Sequence, residues 1–198
     1  MQNAENTPEA LIARSRQGDE QAFAALYRAY APGVYRLAYG ILLHVQDAEE
    51  VVQDVFVYVY RKLDRFDPQR GALRTWLYTI TVSRCRNKRR RKWLPTVILS
   101  HLISRGIEPA APHQATPEAA LARWGVRDAL EQALSTLSPC LREAVALRYA
   151  QGLTYREMGQ VLGCPQKTAE SRVRLAHQAL CRALSADGKL LLEELWGF

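Results

Sequence analysis

The stretch LTYREMGQVLGCPQKTAESRVRLAHQAL, Leu153 to Leu180, decides the fold class. Thr154 and Glu157 have the spacing of a capping box, in which a hydroxyl and a carboxylate satisfy the free amides of a helix start. Met158, Val161 and Leu162 then fall on one side of a short helix. Gly163 turns the chain, and Pro165 starts a long helix reaching to about Leu184. Helix, a short turn with glycine, helix is the helix-turn-helix arrangement. Toward its start the second helix offers Gln166, Lys167, Thr168, Ser171, Arg172 and Arg174. Amide, hydroxyl and guanidinium groups there suit base edges and phosphates in a major groove. Two packed helices with a polar outer face are the alternative reading.

Upstream, the pattern stays helical. Ala119 to Leu137 reads as one helix, and Ser138-Pro139 caps a second that runs to about Ala150 and stops at Gly152. Pro95 to Pro117 is different, with four prolines and few charges, and reads as a linker. Its apolar part, Val97-Ile98-Leu99 with Leu102-Ile103, is too greasy for a free tether and is expected to lie against protein.

The first half begins with Thr7-Pro8-Glu9, a hydroxyl cap followed by proline at the first helical position. Gly18-Asp19 ends that helix and caps the next. Phe23, Leu26, Tyr27, Tyr30, Val34, Leu37, Ala38 and Ile41 recur at three- and four-residue steps, with a kink or break expected at Pro32-Gly33. Asp47-Ala48-Glu49-Glu50 reads as a capping box with Asp47 as the cap, opening a helix with Val52, Phe56, Val59 and Leu63 on one face. Asp67 to Gly71 makes a loop. The helix after it places Leu73, Trp76, Leu77 and Ile80 inside and leaves Tyr78 off that stripe, exposed.

These segments predict an all-α protein of two small helical domains joined by a flexible linker. The boundaries fall at 1–94, 95–118 for the linker, 119–185 for the helix-turn-helix unit, and 186–198 for a C-terminal tail. The 198 residues suffice for that, with 24% charged and 48% hydrophobic residues. No stretch approaches the eighteen uncharged apolar residues of a membrane span, and Met1 to Glu9 does not read as a signal peptide. Cys85, Cys140, Cys164 and Cys181 show no paired spacing, so a reducing cytoplasmic setting is expected.

The net charge of +7 has one source. RCRNKRRRK, Arg84 to Lys92, holds seven basic residues and no acid, and the remaining 20 Lys and Arg balance 20 Asp and Glu. Such a block repels itself unless it meets a polyanion, which points to nucleic acid; a solvated helix end accounts for the run equally well. Aromatic residues near it, Phe66, Trp76 and Tyr78, suit unpaired bases that offer faces for stacking, with Trp76 also reading as core. Catalysis finds little support. His44, His101, His113 and His177 are scattered, and no nucleophile motif or glycine-rich phosphate loop occurs. His177 and Cys181 lie one helical turn apart, but two ligands do not make a metal site. No cofactor, metal or catalytic residue is expected.

With these residues in view the chain resembles a known family. DAEEVVQDVFVYVYRKLDRF (Asp47–Phe66) and RTWLYTITVSRCRNKRRR (Arg74–Arg91) resemble region 2 of extracytoplasmic-function (ECF) sigma factors. LSPCLREAVALRYAQGLTYREMGQVLGCPQKTAESRVRLAHQAL (Leu137–Leu180) resembles their region 4. The resemblance implies a bacterial initiation factor without catalytic activity that binds RNA polymerase core and directs it to promoters. It implies that Asp47, Glu50, Gln53, Asp54 and Phe56 dock on the β′ clamp helices, an acidic and partly apolar face for such a contact. It implies that Phe66, Arg70, Gly71, Tyr78, Ser83, Arg84, Arg86, Asn87, Lys88, Arg89, Arg90 and Arg91 open the −10 element and hold the melted non-template strand. Gln166, Lys167, Thr168, Glu170, Ser171, Arg172 and Arg174 then read the −35 element in duplex DNA, with the β flap nearby.

Two departures bear on promoter choice. Ser83 stands where the family usually has asparagine, and Glu170 where it usually has lysine. Glu170 either loses a phosphate contact or accepts a hydrogen bond from a cytosine amine. An anti-sigma partner is also implied, for which the linker and the tail KLLLEELWGF (Lys189–Phe198) would offer contact area. A stand-alone helix-turn-helix regulator leaves the first half unexplained, and a nuclease would need a metal-binding carboxylate cluster.

Overall fold

The computed structural model describes residues 7–99 and 128–184, with 92–99 described by their backbone alone. Every regular element among them is helical. The linker from residue 100 onward, the first part of the helix expected from Ala119, and the tail 186–198 lie outside the described residues.

Helix α1 (Pro8–Arg16) starts as the sequence predicts, with the Thr7 hydroxyl accepting from the Ala10 amide at 3.3 Å. Asp19 caps α2 (Glu20–Leu42) by accepting from the Gln21 and Ala22 amides, and the Ala22 amide first, then Arg14, holds its carboxyl below the usual range. Pro32 does not break α2, which runs unbroken through it to Leu42. Proline removes one backbone hydrogen bond, and buried neighbours on both sides, Leu26, Val34 and Leu37, hold the helix across that gap.

Helix α3 (Val45–Lys62) corrects the reading of Asp47 as a cap. Leu43 takes a left-handed conformation, φ 53°, that closes α2 by sending its amide to the Tyr39 carbonyl. The turn is so tight that α3 begins two residues later, with His44 as the cap: its Nδ1 accepts from the Asp47 amide at 3.3 Å. Asp47 therefore sits buried in the first turn, where the helix dipole favours it, and Glu50 is released from backbone duty. Two short 3-10 turns, Leu63–Arg65 and Pro68–Arg70, then lead into α4 (Leu73–Leu99). This helix continues through Pro95, so the first five residues assigned to the linker are helical.

The second half comprises α5 (128–136), α6 (Pro139–Val145) running into a π turn at Ala146–Ala150, α7 (Tyr155–Leu162) and α8 (Gln166–Ala183). Ser138 stands at the start of α6, although its side chain makes no capping bond. At α7 the capping box forms fully: Thr154 Oγ1 accepts from the Glu157 amide, and the Thr154 amide and hydroxyl donate to the Glu157 carboxylate at 2.8 Å each. Those bonds, the Thr154 amide first, hold the Glu157 carboxyl below its ordinary 4.5. A depressed carboxyl stabilises the fold above its unfolded-state pKa and loses that contribution as pH falls through the folded value. Thr154→Ala is expected to cost about 1 kcal/mol in urea unfolding. The same variant should move the Glu157 titration, followed by NMR, upward toward 4.5.

The two halves share one core. Leu37, Ile41, Val55, Leu77 and Cys85 from the first belong to the same buried cluster as Ala146, Leu147, Leu153, Met158 and Val173 from the second. A smaller cluster, with Leu137, Val145, Ala176, Leu180 and Leu184, closes the far side of the helix-turn-helix unit. The two small helical domains expected from the sequence are both present, and α2 and α4 of the first pack against α6, the π turn and α7 of the second.

Candidate nucleic-acid interface

The turn between α7 and α8 sets the direction of α8. Gly163, at φ 67°, occupies the left-handed region that closes α7, and Gly159 lets the next segment pass so close that the Cys164 carbonyl lies 2.7 Å from where a Cβ would stand. Ala169, Val173, Ala176 and Leu180 bury one side of α8. Gln166, Lys167, Glu170 and Arg174 face solvent, with Thr168, Ser171 and Arg172 half-buried beside them. Of the residues singled out in the sequence, Gln166, Lys167, Glu170 and Arg174 thus share the exposed side of α8, while Thr168 and Arg172 lie on another side of the helix. Glu170 lies in line with Gln166 and Arg174, at helical spacing of four.

The basic run lies on α4, and its cations divide into two sets. Arg86 Nη2 meets Glu143 at 2.7 Å and Arg89 Nη1 meets it at 3.2 Å, while Lys88 bonds to Glu50 and lies 3.6 Å from Asp47. Glu143 raises the Arg86 pKa, and Glu50 raises that of Lys88. Arg84 instead sits over the Tyr58 ring at 5.3 Å, Arg90 donates to Asn87 at 3.1 Å, and Arg91 and Ser83 are exposed. Half the described cations of the run are therefore already met by carboxylates of this chain.

Two aromatic expectations need correction. Tyr78 was placed off the apolar stripe and exposed, yet it is only 5% accessible, its hydroxyl donates to Gln151 Oε1 at 2.6 Å, and burial raises its pKa. α4 is covered on a second side by the other half of the chain, which a single-stripe reading does not register. Phe66 is buried too, 6% accessible, with its ring 5.5 Å from that of half-buried Trp76. A groove of about 270 Å³ opens beside this pair, lined also by Arg70, Gly71, Thr75 and Gln160. The Arg70 side chain is almost fully solvent-exposed at 3.5 Å from Asp67.

On α3, Gln53 and Asp54 are exposed, Glu50 is bound to Lys88, and Phe56 is buried edge-on to Tyr27 at 4.7 Å. Around Gln53 run two adjoining grooves of about 550 and 560 Å³ that share Tyr27. Exposed Tyr27, Val57 and Tyr60 make this an apolar face. The sequence reading missed Val57 and Tyr60; their signal is apolar residues outside the buried register of Val52, Val55, Phe56 and Val59. No cluster of three or more metal-ligating side chains exists among the described residues, and His177 and Cys181, 3.6 Å apart, remain a pair. None of the described helices is long and apolar enough to cross a membrane.

A helix-turn-helix unit joined to a helical bundle with a basic helix defines a DNA-binding transcription factor. Residues 26–94 match the family model for Sigma-70 region 2, and residues 127–180 that for Sigma-70, region 4. The ECF RNA polymerase sigma-E factor of Escherichia coli K12 is 30% identical over 180 residues, covering 88% of this chain and 92% of that one. The RNA polymerase sigma-H factor of Pseudomonas aeruginosa is 29% identical (88% and 92% covered), and SigW of Bacillus subtilis is 28% identical (87% and 94%). Among solved structures, CnrH in complex with the cytosolic domain of CnrY is similar with a TM-score of 0.64 and 25% identity, covering 89% of this chain and 96% of that one. RpoE of Bartonella quintana, in complex with the anti-sigma factor NepR, has the same fold at a TM-score of 0.66 and 23% identity, covering 83% and 98%. The chain belongs to the ECF RNA polymerase sigma factors.

Proposed function

We propose that this sigma factor recruits RNA polymerase core to promoters with −35 and −10 elements and helps to open the strands, working in the bacterial cytoplasm. The observation that carries the reading is the presence of two separate DNA-suited surfaces on one chain, the solvent face of α8 and the basic run of α4. In this reading the solvent face of α8, with Gln166, Lys167, Glu170 and Arg174, lies along the major groove at −35 within reach of base edges and phosphates, and Thr168, Ser171 and Arg172 flank it. The groove between Trp76 and Arg70 receives a base unstacked from the −10 strand, while Arg84, Arg90 and Arg91 hold its backbone. Capturing extruded bases draws the duplex toward the melted form without a chemical fuel.

Gln53 and Asp54, with the apolar face of Tyr27, Val57 and Tyr60, dock on polymerase, the acid guiding encounter and the rings anchoring it. The same face suits an anti-sigma protein, in keeping with the partner in the Bartonella complex. Gel filtration with sigma-free core polymerase, followed by transcription from a genomic fragment library, tests the proposal. Co-elution with new discrete start sites supports it; tight duplex binding by the chain alone without co-elution overturns it.

Glu170→Lys tests the reading helix. The substitution is expected to strengthen binding to duplex of any sequence and to steepen the slope of log K against log salt by about 0.9, one added phosphate contact. Loss of discrimination at a single base pair, with the slope unchanged, would instead assign Glu170 to a cytosine amine.

A further inference from the structure

Helix α1 lies ahead of the residues that match region 2, which begin at residue 26, and the proposed function gives it no task. Leu11 and Ile12 bury one side of it in the core. Arg16, one helical turn beyond Ile12, lies on that same side. Its guanidinium does not serve α1. Nη2 donates to the Leu63 carbonyl at 3.1 Å and to the Phe66 carbonyl, 47 and 50 residues further along the chain. These two oxygens bracket the 3-10 turn Leu63–Arg65. A third contact, from Nε to the exposed Asp64 carboxylate, is long at 3.9 Å.

A single 3-10 turn has weak hydrogen-bond geometry and little hold on its own shape. It closes here with the Phe66 amide on the Leu63 carbonyl at 3.0 Å, and the charged fork of Arg16 adds a stronger bond at each end. Phe66 is where this matters. Its ring lies 5.5 Å from Trp76, and Asp67 after it accepts from the Gln69 amide at 2.9 Å to start the second 3-10 turn. The groove beside them has Phe66, Asp67 and Arg70 on its loop side and Thr75, Trp76 and Thr79 on its α4 side. The α4 wall is a continuous helix, whereas the loop wall is tied down at Arg16. Helix α1 is itself anchored: Arg14 meets Asp19, the cap of α2, at 2.8 Å.

We infer that Arg16 is a positioning residue for capture of the −10 strand, fixing from behind the loop wall against which the extruded base is selected. The inference rests on the reading of this groove as the base site. Arg16 itself does not line the groove and acts through the backbone at Leu63 and Phe66. Choice of base at −10 then depends on a helix outside the segment that matches region 2, as well as on the loop and α4.

The test uses the full chain assembled with sigma-free core polymerase, as wild type, Arg16→Met and Arg16→Lys, each first shown to melt cooperatively. The probe is a promoter fragment from the genomic library with its −10 segment held unpaired by mismatches. Each of the four bases is placed in turn at every unpaired non-template position, and the affinity is measured. Arg16→Met keeps the stem and loses the donors; it is expected to narrow the gap between best and worst base by about tenfold. The slope of log K against log salt should stay as in wild type, because no phosphate contact is lost. Arg16→Lys keeps the charge without the planar fork and should narrow the gap by about threefold, so it carries the test where the methionine variant does not fold. Wild-type discrimination in every variant that folds overturns positioning and leaves Arg16 a structural tie. A salt slope lower by about 0.7 in Arg16→Met would make Arg16 a phosphate contact and overturns positioning as well. A wild-type holoenzyme that distinguishes no base at any unpaired position overturns the reading of the groove, and this inference with it.

Discussion

Gly159→Val is expected to destabilise the protein at the turn between α7 and α8 by about 3 kcal/mol. The first added carbon would stand 2.7 Å from the Cys164 carbonyl oxygen and 3.5 Å from the Gln166 amide nitrogen. Both are backbone atoms in the turn that aims α8, so relief requires shifting the turn itself rather than rotating a side chain. Such overpacking costs about 1–3 kcal/mol, occasionally more, while the helix propensity gained over glycine returns only about 0.5 kcal/mol. Valine is expected to lie at the upper end and alanine at the lower. Urea unfolding followed by circular dichroism should show a lower midpoint at an unchanged slope. A valine variant with the wild-type midpoint would show that α8 does not cross α7 this closely.

The second large effect is electrostatic. Within the basic run, Arg86, Lys88 and Arg89 are bound to carboxylates, whereas Arg84, Arg90 and Arg91 are not. The last three are therefore the cations ready to meet a strand without first breaking an ion pair. Replacing all three by alanine should lower the slope of log K against log salt for single-stranded DNA by about 2, three contacts at roughly 0.7 each. Affinity at low salt should fall by about one to two orders of magnitude, and promoter opening with it. Stability should barely move, apart from the contact between half-buried Arg84 and Tyr58, worth about 1 kcal/mol. Loss of transcription with an unchanged salt slope would place the strand elsewhere on the molecule.

What could be read from sequence follows the range of the forces involved. The capping box at Thr154, the turn at Gly163 and the exposed face of α8 depend on neighbours within a few residues, and local spacing reported them correctly. Helix α3 was misread at its start because Leu43 adopts a left-handed conformation without the glycine that usually announces one. With α2 closed there, His44 took the capping role and Asp47 moved inside the helix. Tyr78 was misread for a different reason: its partner, Gln151, is 73 residues away and belongs to the other half. No periodicity within α4 distinguishes a face bathed in water from one covered by a distant segment. The same distance hides Glu143, which in sequence is an ordinary acid on a short helix and in the fold is fully enclosed by a seam between halves.

Cys85 sits in that enclosed part of α4, with no accessible surface. Burial, followed by the nearby Glu143 charge, pushes its thiol up to about 12. Such a sulfur is protonated and out of reach in the folded protein, so an alkylating reagent can modify it only in molecules that have momentarily come apart around it. Cys140, by contrast, is exposed on α6 and open to the same reagent. The molecule thus carries its own clock: the lag between the two labelling events reports how often the packing around α4 loosens, with no residue engineered in.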